Sequence, residues 1–241
     1  RSIYAFWHSV LNKTKQLCEL IENTEITIEE WRKQKEIQRN KNKADLLELG
    51  FSTFFLNRTN RSGIINAGVI GGVEQNGNYL MDCRFNKKDL INRINIIAKK
   101  KKSIRLYKKD AIKLIEKVQK EAIDENVIFY FDPPYYLKAS SLYMNHYQEY
   151  DHKEVSDKIK SIQKIRWIVS YDNVPEINSL YLGISKKEYS FKHTVYNSRD
   201  GQEVLFFSHN INQPQIEDWN PLKFKIKINQ EGAKTLIYKN S

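Results

Sequence analysis

An aspartate, two prolines and a tyrosine follow directly on a short apolar run near the middle of the chain. The motif Asp132-Pro133-Pro134-Tyr135 comes after residues 127–131, which are all β-branched or aromatic and predict a strand buried on both faces of a parallel α/β sheet. Proline cannot donate to a sheet ladder and restricts the residue before it, so the strand should end where the prolines begin. The motif is therefore expected just past the carboxyl end of a central strand, where open α/β sheets bind ligands.

This arrangement suits methyl transfer to the exocyclic amino group of adenine or cytosine. Such an amine is a poor nucleophile because its lone pair is delocalised into the ring. Two acceptors aimed at its N–H bonds would stabilise the positive charge that develops during attack. The Asp132 carboxylate and the Pro133 carbonyl can supply them, and the Tyr135 ring offers a surface on which an extruded base can stack. The alternative is a proline turn whose aspartate caps the next helix.

Asp-Pro-Pro-Tyr after such a strand resembles the catalytic motif of amino-group DNA methyltransferases, and the Asp form is similar to the adenine-specific enzymes. Three further stretches resemble the Dam-like family and follow in its order: residues 54–59 with Gly63 beyond them, residues 167–173 and residues 199–205. The resemblance implies an adenine-N6 methyltransferase that uses S-adenosylmethionine and acts on a base flipped out of double-stranded DNA. Its catalytic residues would be Asp132, Pro133, Pro134 and Tyr135.

The resemblance also implies a doubly wound, mostly parallel, Rossmann-like sheet with a small helical and hairpin insertion for DNA recognition. Residues 1–22 and 86–212 would form the catalytic domain, residues 23–85 the insertion, and residues 213–241 edge strands or a tail. The family's Gly-rich cofactor segment is not found in the sequence, which opens within an amphipathic helical pattern. We therefore expect the first strand–helix–strand unit to be missing, or to be supplied in trans.

Polar side chains are dense between Asn57 and Asn66, beside a turn-forming glycine. Arg58 and Arg61 can clamp phosphates or read guanine, Asn60 or Asn66 can pair with adenine, and Ser62 lies among them. The resemblance implies that this region touches the target duplex. For Asn57 and Arg58 the alternative is that they cap or brace the preceding helix.

Helical and hairpin patterns surround this polar loop. Residues 2–22, 24–44, 46–57 and 87–102 are helical in pattern, and Thr27 with Glu30 predicts a capping box. Asn76-Gly77 predicts a β-hairpin that pairs residues 69–75 with residues 79–84, and this hairpin would either lie over the duplex or support the loop.

A short strand is predicted over residues 104–107, with Asp110 at its end. The resemblance implies that Asp110 and Asp132 meet the cofactor. Asp110 fits equally well as the N-cap of a helix over residues 111–121, and both interpretations can hold together.

The C-terminal half repeats the pattern of a strand followed by polar residues. A strand over residues 166–170 leads into residues 170–173, which the resemblance places beside the base pocket and which can equally form a turn that caps the next helix. Residues 184–189 and 204–208 predict antiparallel strands. Arg199 is predicted to lie in a turn with Asp200 and Gly201 and would reach the DNA backbone. The alternation of apolar and charged residues in the tail predicts an edge hairpin or an oligomer contact.

The composition favours a polyanionic partner. The net charge is +11 and the pI about 9.4, although the densest basic run, residues 99–102, is explained equally well as a solvated helix end. Two cysteines are too few for a disulfide scaffold or a zinc site and suit a reducing cytoplasm, where the protein would associate with the nucleoid. No apolar stretch approaches a membrane span, so no membrane partner is expected.

Two other functions compete with the DNA methyltransferase. The absent Gly-rich segment favours a DNA-binding remnant without catalysis, or half of a split enzyme. Methylation of RNA or of protein glutamine uses related Pro-Pro-Tyr motifs, usually with Asn first, and Asp132 argues against it. The resemblance further implies a cognate restriction endonuclease as a partner.

Overall fold

The computed structural model describes residues 1–121, 127–136, 147–192, 200–213, 220–221, 224–228 and 234–238. The chain divides into two compact units, residues 1–110 and residues 111–241. The boundaries proposed from the sequence for a catalytic domain and an insertion stay predictions.

The first unit is helical, and α4 lies at its centre. Its helices are α1 (Ser2–Asn12), α2 (Thr14–Asn23), α3 (Ile28–Arg39), α4 (Leu46–Thr59) and α5 (Lys87–Lys99), with 3₁₀ turns at Arg61–Gly63 and Lys101–Ser103. Nine of the 14 residues of α4 are buried, and it packs against α1 and α3. A Cβ atom at Gly50 would lie 2.6 Å from the Ala5 carbonyl oxygen, so glycine permits the close approach of α1 and α4.

The start of the chain forms two helices where the sequence predicted one. The backbone of Lys13 leaves the helical region (φ −134°, ψ 35°), and the break allows α1 to pack on α4 while α2 packs mainly on α5. The helix after Thr27 is confirmed, because the Thr27 hydroxyl accepts a hydrogen bond from the Glu30 amide at 3.1 Å.

The hairpin predicted around Asn76-Gly77 is wrong. Residues 69–84 form successive turns instead of a ladder. The side chain of Gln75 explains why: its Nε2 donates to the Ile70 carbonyl at 2.8 Å, and its Oε1 accepts from the Met81 amide at 3.0 Å. Because these backbone groups are satisfied locally, they need no cross-strand partner.

The strand predicted over residues 104–107 is also wrong. The segment has no regular structure, although the backbone at Ile104 is extended (φ −117°, ψ 122°). Residues 1–110 are all described, and they contain no other strand with which this segment could pair. An extended segment becomes a strand only when a neighbour satisfies its backbone groups.

The second unit is built on a four-stranded sheet. Its strands are β1 (Ile128–Phe131), β2 (Arg166–Asp172), β3 (Ser185–Lys192) and β4 (Asp200–Phe207), in the order β1-β2-β4-β3. The pair β1–β2 is parallel, whereas β2–β4 and β4–β3 are antiparallel. The antiparallel pairing predicted near the end of the sheet is confirmed. The mostly parallel sheet is not seen, because one of three pairings in the described sheet is parallel.

Helices α6 (Ala111–Glu121), α7 (Glu149–Lys160) and α8 (Pro175–Leu180) complete this unit, and β5 (Phe224–Ile228) with β6 (Lys234–Tyr238) forms a separate antiparallel pair. The tail was predicted as an edge hairpin or an oligomer contact. Its two strands pair with each other, but in the described residues they do not join the edge of the four-stranded sheet. Asp200 and Gly201 were predicted in a turn, but they begin β4.

One face of the sheet packs against the helices and carries the core. This face is formed by alternate side chains of the two middle strands: Trp167, Val169 and Tyr171 of β2, and Val204 and Phe206 of β4. The prediction that β1 is a central strand buried on both faces is wrong. It is an edge strand of the described sheet, and Ile128 and Tyr130 are 54% and 62% exposed. A continuous apolar run does not reveal how many neighbours a strand has.

Candidate active site and DNA interface

The Asp-Pro-Pro-Tyr turn begins where β1 ends. Because β1 and β2 are parallel, their carboxyl ends meet at one edge of the sheet, and side chains of β2 reach the turn. The Ser170 hydroxyl, which is 2% exposed, donates a hydrogen bond to Asp132 Oδ1 at 2.9 Å. Asp132 itself is exposed. Its Oδ2 accepts no hydrogen bond from the described residues, so this oxygen can accept one from a ligand.

The other end of the turn is fixed by Asp172. Its Oδ1 accepts a hydrogen bond from the Tyr136 amide at 2.9 Å. Ser170 and Asp172 are two residues apart on β2 and therefore lie on the same face of the sheet. Two side chains of one strand thus hold both ends of the proline turn. The alternative was that this segment caps the next helix. The N-cap residue of α8 is Val174, and no side-chain hydrogen bond caps the helix there.

Glu203 joins Tyr135 to a second tyrosine, and sequence reasoning did not single it out. The hydroxyls of Tyr135 and Tyr189 donate hydrogen bonds to the two oxygens of its carboxylate. Glu203 of β4 lies opposite Asp172 of β2 on one side and Tyr189 of β3 on the other. A usable signal existed: a carboxylate that shares its strand face with Leu205 and Phe207, both buried, needs partners.

The two tyrosines that contact Glu203 stay protonated. Burial raises the pKa of Tyr135 and of Tyr189 well above the ordinary value, and the hydrogen bond to the negatively charged Glu203 raises both further. Tyr135 therefore cannot act as a base near neutral pH, and its ring and its hydroxyl dipole are what it offers to a ligand.

His152 packs against Tyr136, at the end of the turn, and the sequence analysis did not identify it. It is 1% exposed, its Nδ1 lies 3.0 Å from the Tyr171 hydroxyl, and its ring centroid is 5.3 Å from that of Tyr136. Burial lowers the pKa of His152, although the nearby charges of Asp172 and Asp151 oppose that shift. Its position on α7 could have been found, because it shares a helical face with the buried residues Val155, Ser156 and Ile159.

Three of the residues predicted to contact DNA lie together on an exposed turn of the first unit. Arg61, Ser62 and Asn66 are all exposed. The backbone of Ser62 is in the left-handed region (φ 54°), as is that of Gly63 (φ 72°), so the chain reverses sharply there. A serine in this conformation carries strain, which is commonest where a surface contacts a ligand.

Asn57 and Arg58 were predicted either to contact DNA or to brace the end of the preceding helix, and their hydrogen bonds agree in part with bracing. The Asn57 amide nitrogen donates to the Gly63 carbonyl at 2.9 Å, and the Arg58 guanidinium donates to Asn57 Oδ1 at 2.8 Å. Burial lowers the pKa of Arg58, and the positive charges of Arg84 and Arg93 lower it further. Arg58 thus lies among like charges, an environment that an anion would stabilise.

Two further residues, Arg84 and Asn60, hold the turn in place. The Arg84 guanidinium donates to the carbonyls of Asn57 at 2.8 Å, Arg58 at 3.1 Å and Asn60 at 2.7 Å, where α4 ends. Asn60 was predicted, as the alternative to Asn66, to pair with adenine, and this prediction is wrong because Asn60 is completely buried. Its Nδ2 donates to the carbonyls of Ile64 and Ile65, each at 2.9 Å, and its Oδ1 accepts from Trp31 Nε1 at 2.7 Å.

Positive charge is concentrated in the first unit. Residues 1–110 contain 22 of the 40 basic and 12 of the 29 acidic side chains, so they carry +10 of the net charge of +11. The unit that contains the exposed turn is therefore the one with the electrostatic character of a nucleic-acid-binding surface.

Residues 2–197 match the family model of the D12 class N6 adenine-specific DNA methyltransferases. The chain belongs to this family. The match covers the turn at Arg61 and the motif at Asp132, and it confirms the resemblance to Dam-like adenine methyltransferases. No curated protein matches the chain.

The two remaining predicted site residues of this D12-class protein are Asp110 and Arg199. Asp110 is exposed and precedes α6, which begins at Ala111 as predicted. Arg199 lies outside the described residues. Among the described residues, no group of three or more His, Cys, Asp or Glu side chains is arranged to hold a metal ion. No described helix is both long and apolar enough to span a bilayer.

Proposed function

We propose that this D12-class protein transfers a methyl group from S-adenosylmethionine to the exocyclic amino nitrogen of an adenine that has been flipped out of double-stranded DNA. The observation that carries the proposal is the Asp132 carboxylate, which Ser170 binds at one oxygen and to which no described residue donates at the other, in the same turn as Tyr135. An anchored acceptor next to an aromatic surface suits an amine attached to a flat base.

In the proposed reaction Asp132 Oδ2 and the Pro133 carbonyl accept hydrogen bonds from the two N–H groups of adenine. The nitrogen lone pair attacks the methyl carbon, and the bond from that carbon to sulfur breaks while the new C–N bond forms. Sulfur keeps the electron pair, and the methylated amine then releases one proton to water. The negative charge of Asp132 stabilises the positive charge that builds up on nitrogen. Pro134 completes the rigid turn that holds both acceptors.

Tyr135 would bind the flipped base by stacking. Its pKa is raised by burial and by Glu203, so the hydroxyl keeps its proton and leaves the aromatic face as the binding surface. Base–aromatic stacking typically contributes about 1–3 kcal/mol, which helps to offset the cost of unstacking the base from the duplex.

The carboxylates at this edge of the sheet fit a cationic methyl donor. S-adenosylmethionine carries its methyl group on a positively charged sulfur, and Asp132, Asp172 and Glu203 all lie at or beside the turn. We propose that Asp132 and Asp110 contribute to holding this cofactor. The described four-stranded sheet would be part of the doubly wound sheet expected for the family.

We assign recognition of the duplex to the first unit, through Arg58, Arg61, Ser62 and Asn66, with Arg199 as a further contact to the DNA backbone. The excess of basic side chains in residues 1–110 supports this assignment. A cognate restriction endonuclease stays a prediction.

The test is methylation of unmethylated duplex DNA of mixed sequence with radiolabelled S-adenosylmethionine. Asp132→Ala should abolish turnover and leave DNA affinity within about threefold, because the carboxylate acts on the amine and not on the phosphate backbone. Asp157→Asn is the matched control, since Asp157 lies on the surface of α7 and pairs with Lys153. Methylation by Asp132→Ala would refute the role of Asp132. DNA binding without methylation by the wild type would favour a non-catalytic DNA-binding protein.

A further inference from the structure

Glu203 connects three elements of the second unit through one side chain. It lies on β4, accepts a hydrogen bond from Tyr189 on β3, and accepts another from Tyr135 in the turn after β1. It lies beyond residues 2–197, which match the family model. The side chain is half-buried, as are both tyrosines.

The partners of Glu203 differ in how firmly the backbone holds them. Glu203 and Tyr189 are opposite each other in a continuous antiparallel ladder, so their Cα positions are fixed by the sheet. Tyr135 has no ladder bonds, because β1 ends at Phe131. Its ring is attached to the backbone through rotatable bonds, and the hydrogen bond at its hydroxyl is what anchors the far end.

A carboxylate is the side chain that suits this task. It has two oxygens that only accept, and each oxygen here receives one phenol proton. A hydrogen bond to an ionised group is also stronger than one between neutral groups. A glutamine of the same shape has a single acceptor oxygen, so one of the two phenols would lose its acceptor.

We propose that Glu203 is a positioning residue for methyl transfer. Through the Tyr135 hydroxyl it holds the Tyr135 ring in the orientation that lets the target adenine stack on it. Tyr189 on β3 donates to the other carboxylate oxygen and so fixes the Glu203 side chain. This inference rests on the proposed function. Asp132 and Tyr135 belong to one four-residue turn, so the anchored ring and the acceptor for the amine lie close together. Orientation of bound reactants affects kcat more than binding.

The first test compares Glu203→Gln with the wild type in the methylation assay. We expect kcat to fall about tenfold, as for loss of one charge-assisted hydrogen bond, while KM for DNA changes less than about twofold. The matched control is Glu116→Gln on α6, where the same chemical change removes an ion pair to Lys158 at the surface. This control should keep the wild-type kcat.

A double-mutant cycle separates positioning from general support of the fold. Tyr135→Phe keeps the ring and removes only the hydroxyl through which Glu203 acts. Glu203→Gln should therefore lower kcat much less in the Tyr135→Phe background than in the wild type. Equal effects in the two backgrounds would show that Glu203 acts by another route and would overturn the inference.

A spectroscopic measurement tests the contact without any activity. In protein labelled with 3-fluorotyrosine, the ¹⁹F signals of Tyr135 and Tyr189 are assigned by their loss in the two Tyr→Phe variants. Both signals should shift in Glu203→Gln and stay in place in Glu116→Gln. Unshifted signals would overturn the inference whatever the activity. A wild type that does not methylate DNA would refute the proposed function, and this role with it, even if the signals shift.

Discussion

Replacement of Asn60 by alanine should destabilise the exposed turn by about 3 kcal/mol. The side chain makes three hydrogen bonds of 2.7–2.9 Å and is 0% exposed. Each such bond contributes about 0.5–1.5 kcal/mol net, and buried partners left unsatisfied add to the loss. Because the bonds join Trp31 of α3 to the carbonyls of Ile64 and Ile65, the substitution releases the turn from α3 while the rest of α4 keeps its core contacts.

Hydrogen exchange measured by mass spectrometry is the suitable assay, since it resolves peptides of the first unit from those of the second. We expect peptides over residues 60–70 in Asn60→Ala to lose about a hundredfold in protection, which corresponds to roughly 3 kcal/mol. Trp31→Phe removes one of the three bonds and should give about a third of the effect. Asn66→Ala, an exposed asparagine in the same turn, is the control and should change protection little. A loss below about 1 kcal/mol in Asn60→Ala would refute the assigned bonds.

Two further predictions concern charge. Arg61→Ala should weaken DNA binding and reduce the slope of log affinity against log salt by about one, as expected for one phosphate contact. The control is Arg39→Ala, which removes an exposed arginine paired with Glu36 on α3 and should change neither quantity. The free energy of unfolding should fall as the pH drops below about 6.5, because unfolded His152 then binds a proton that the buried imidazole, with its lowered pKa, resists. Urea denaturation at pH 7.5 and pH 5 should show a smaller loss for His152→Asn than for the wild type, and an equal loss would contradict the burial of a neutral imidazole.

The proline motif and the basic composition were accessible from the sequence because both depend on local chemistry. Prolines end a strand wherever it lies, so the end of β1 at Phe131 and the exposed Asp132 beyond it were predictable. The N-cap at Thr27 and the start of α6 at Ala111 follow equally local rules. The family, which the match over residues 2–197 confirms, was identified through the same local motifs.

Where the sequence predictions failed, the outcome was decided by an interaction that the predictive pattern itself does not specify. Asn76-Gly77 favours a hairpin, but the side chain of Gln75 takes up the backbone groups that a ladder would have used. The apolar residues of β1 indicated a central strand, yet the described sheet gives it a neighbour on one side. A sequence pattern specifies what a segment can bury or pair with, whereas the number of its partners depends on the assembled sheet.

The sequence by itself determined the groups on which the proposed chemistry depends: a carboxylate and an aromatic ring on a rigid turn, and a basic composition suited to DNA. The tertiary structure decided which groups hold that chemistry in place. Ser170, Asp172 and Glu203 are far from the motif along the chain and reach it only because β2 pairs with β1 and β4 pairs with β2. Contacts between distant residues follow from strand order and register, which no local pattern specifies.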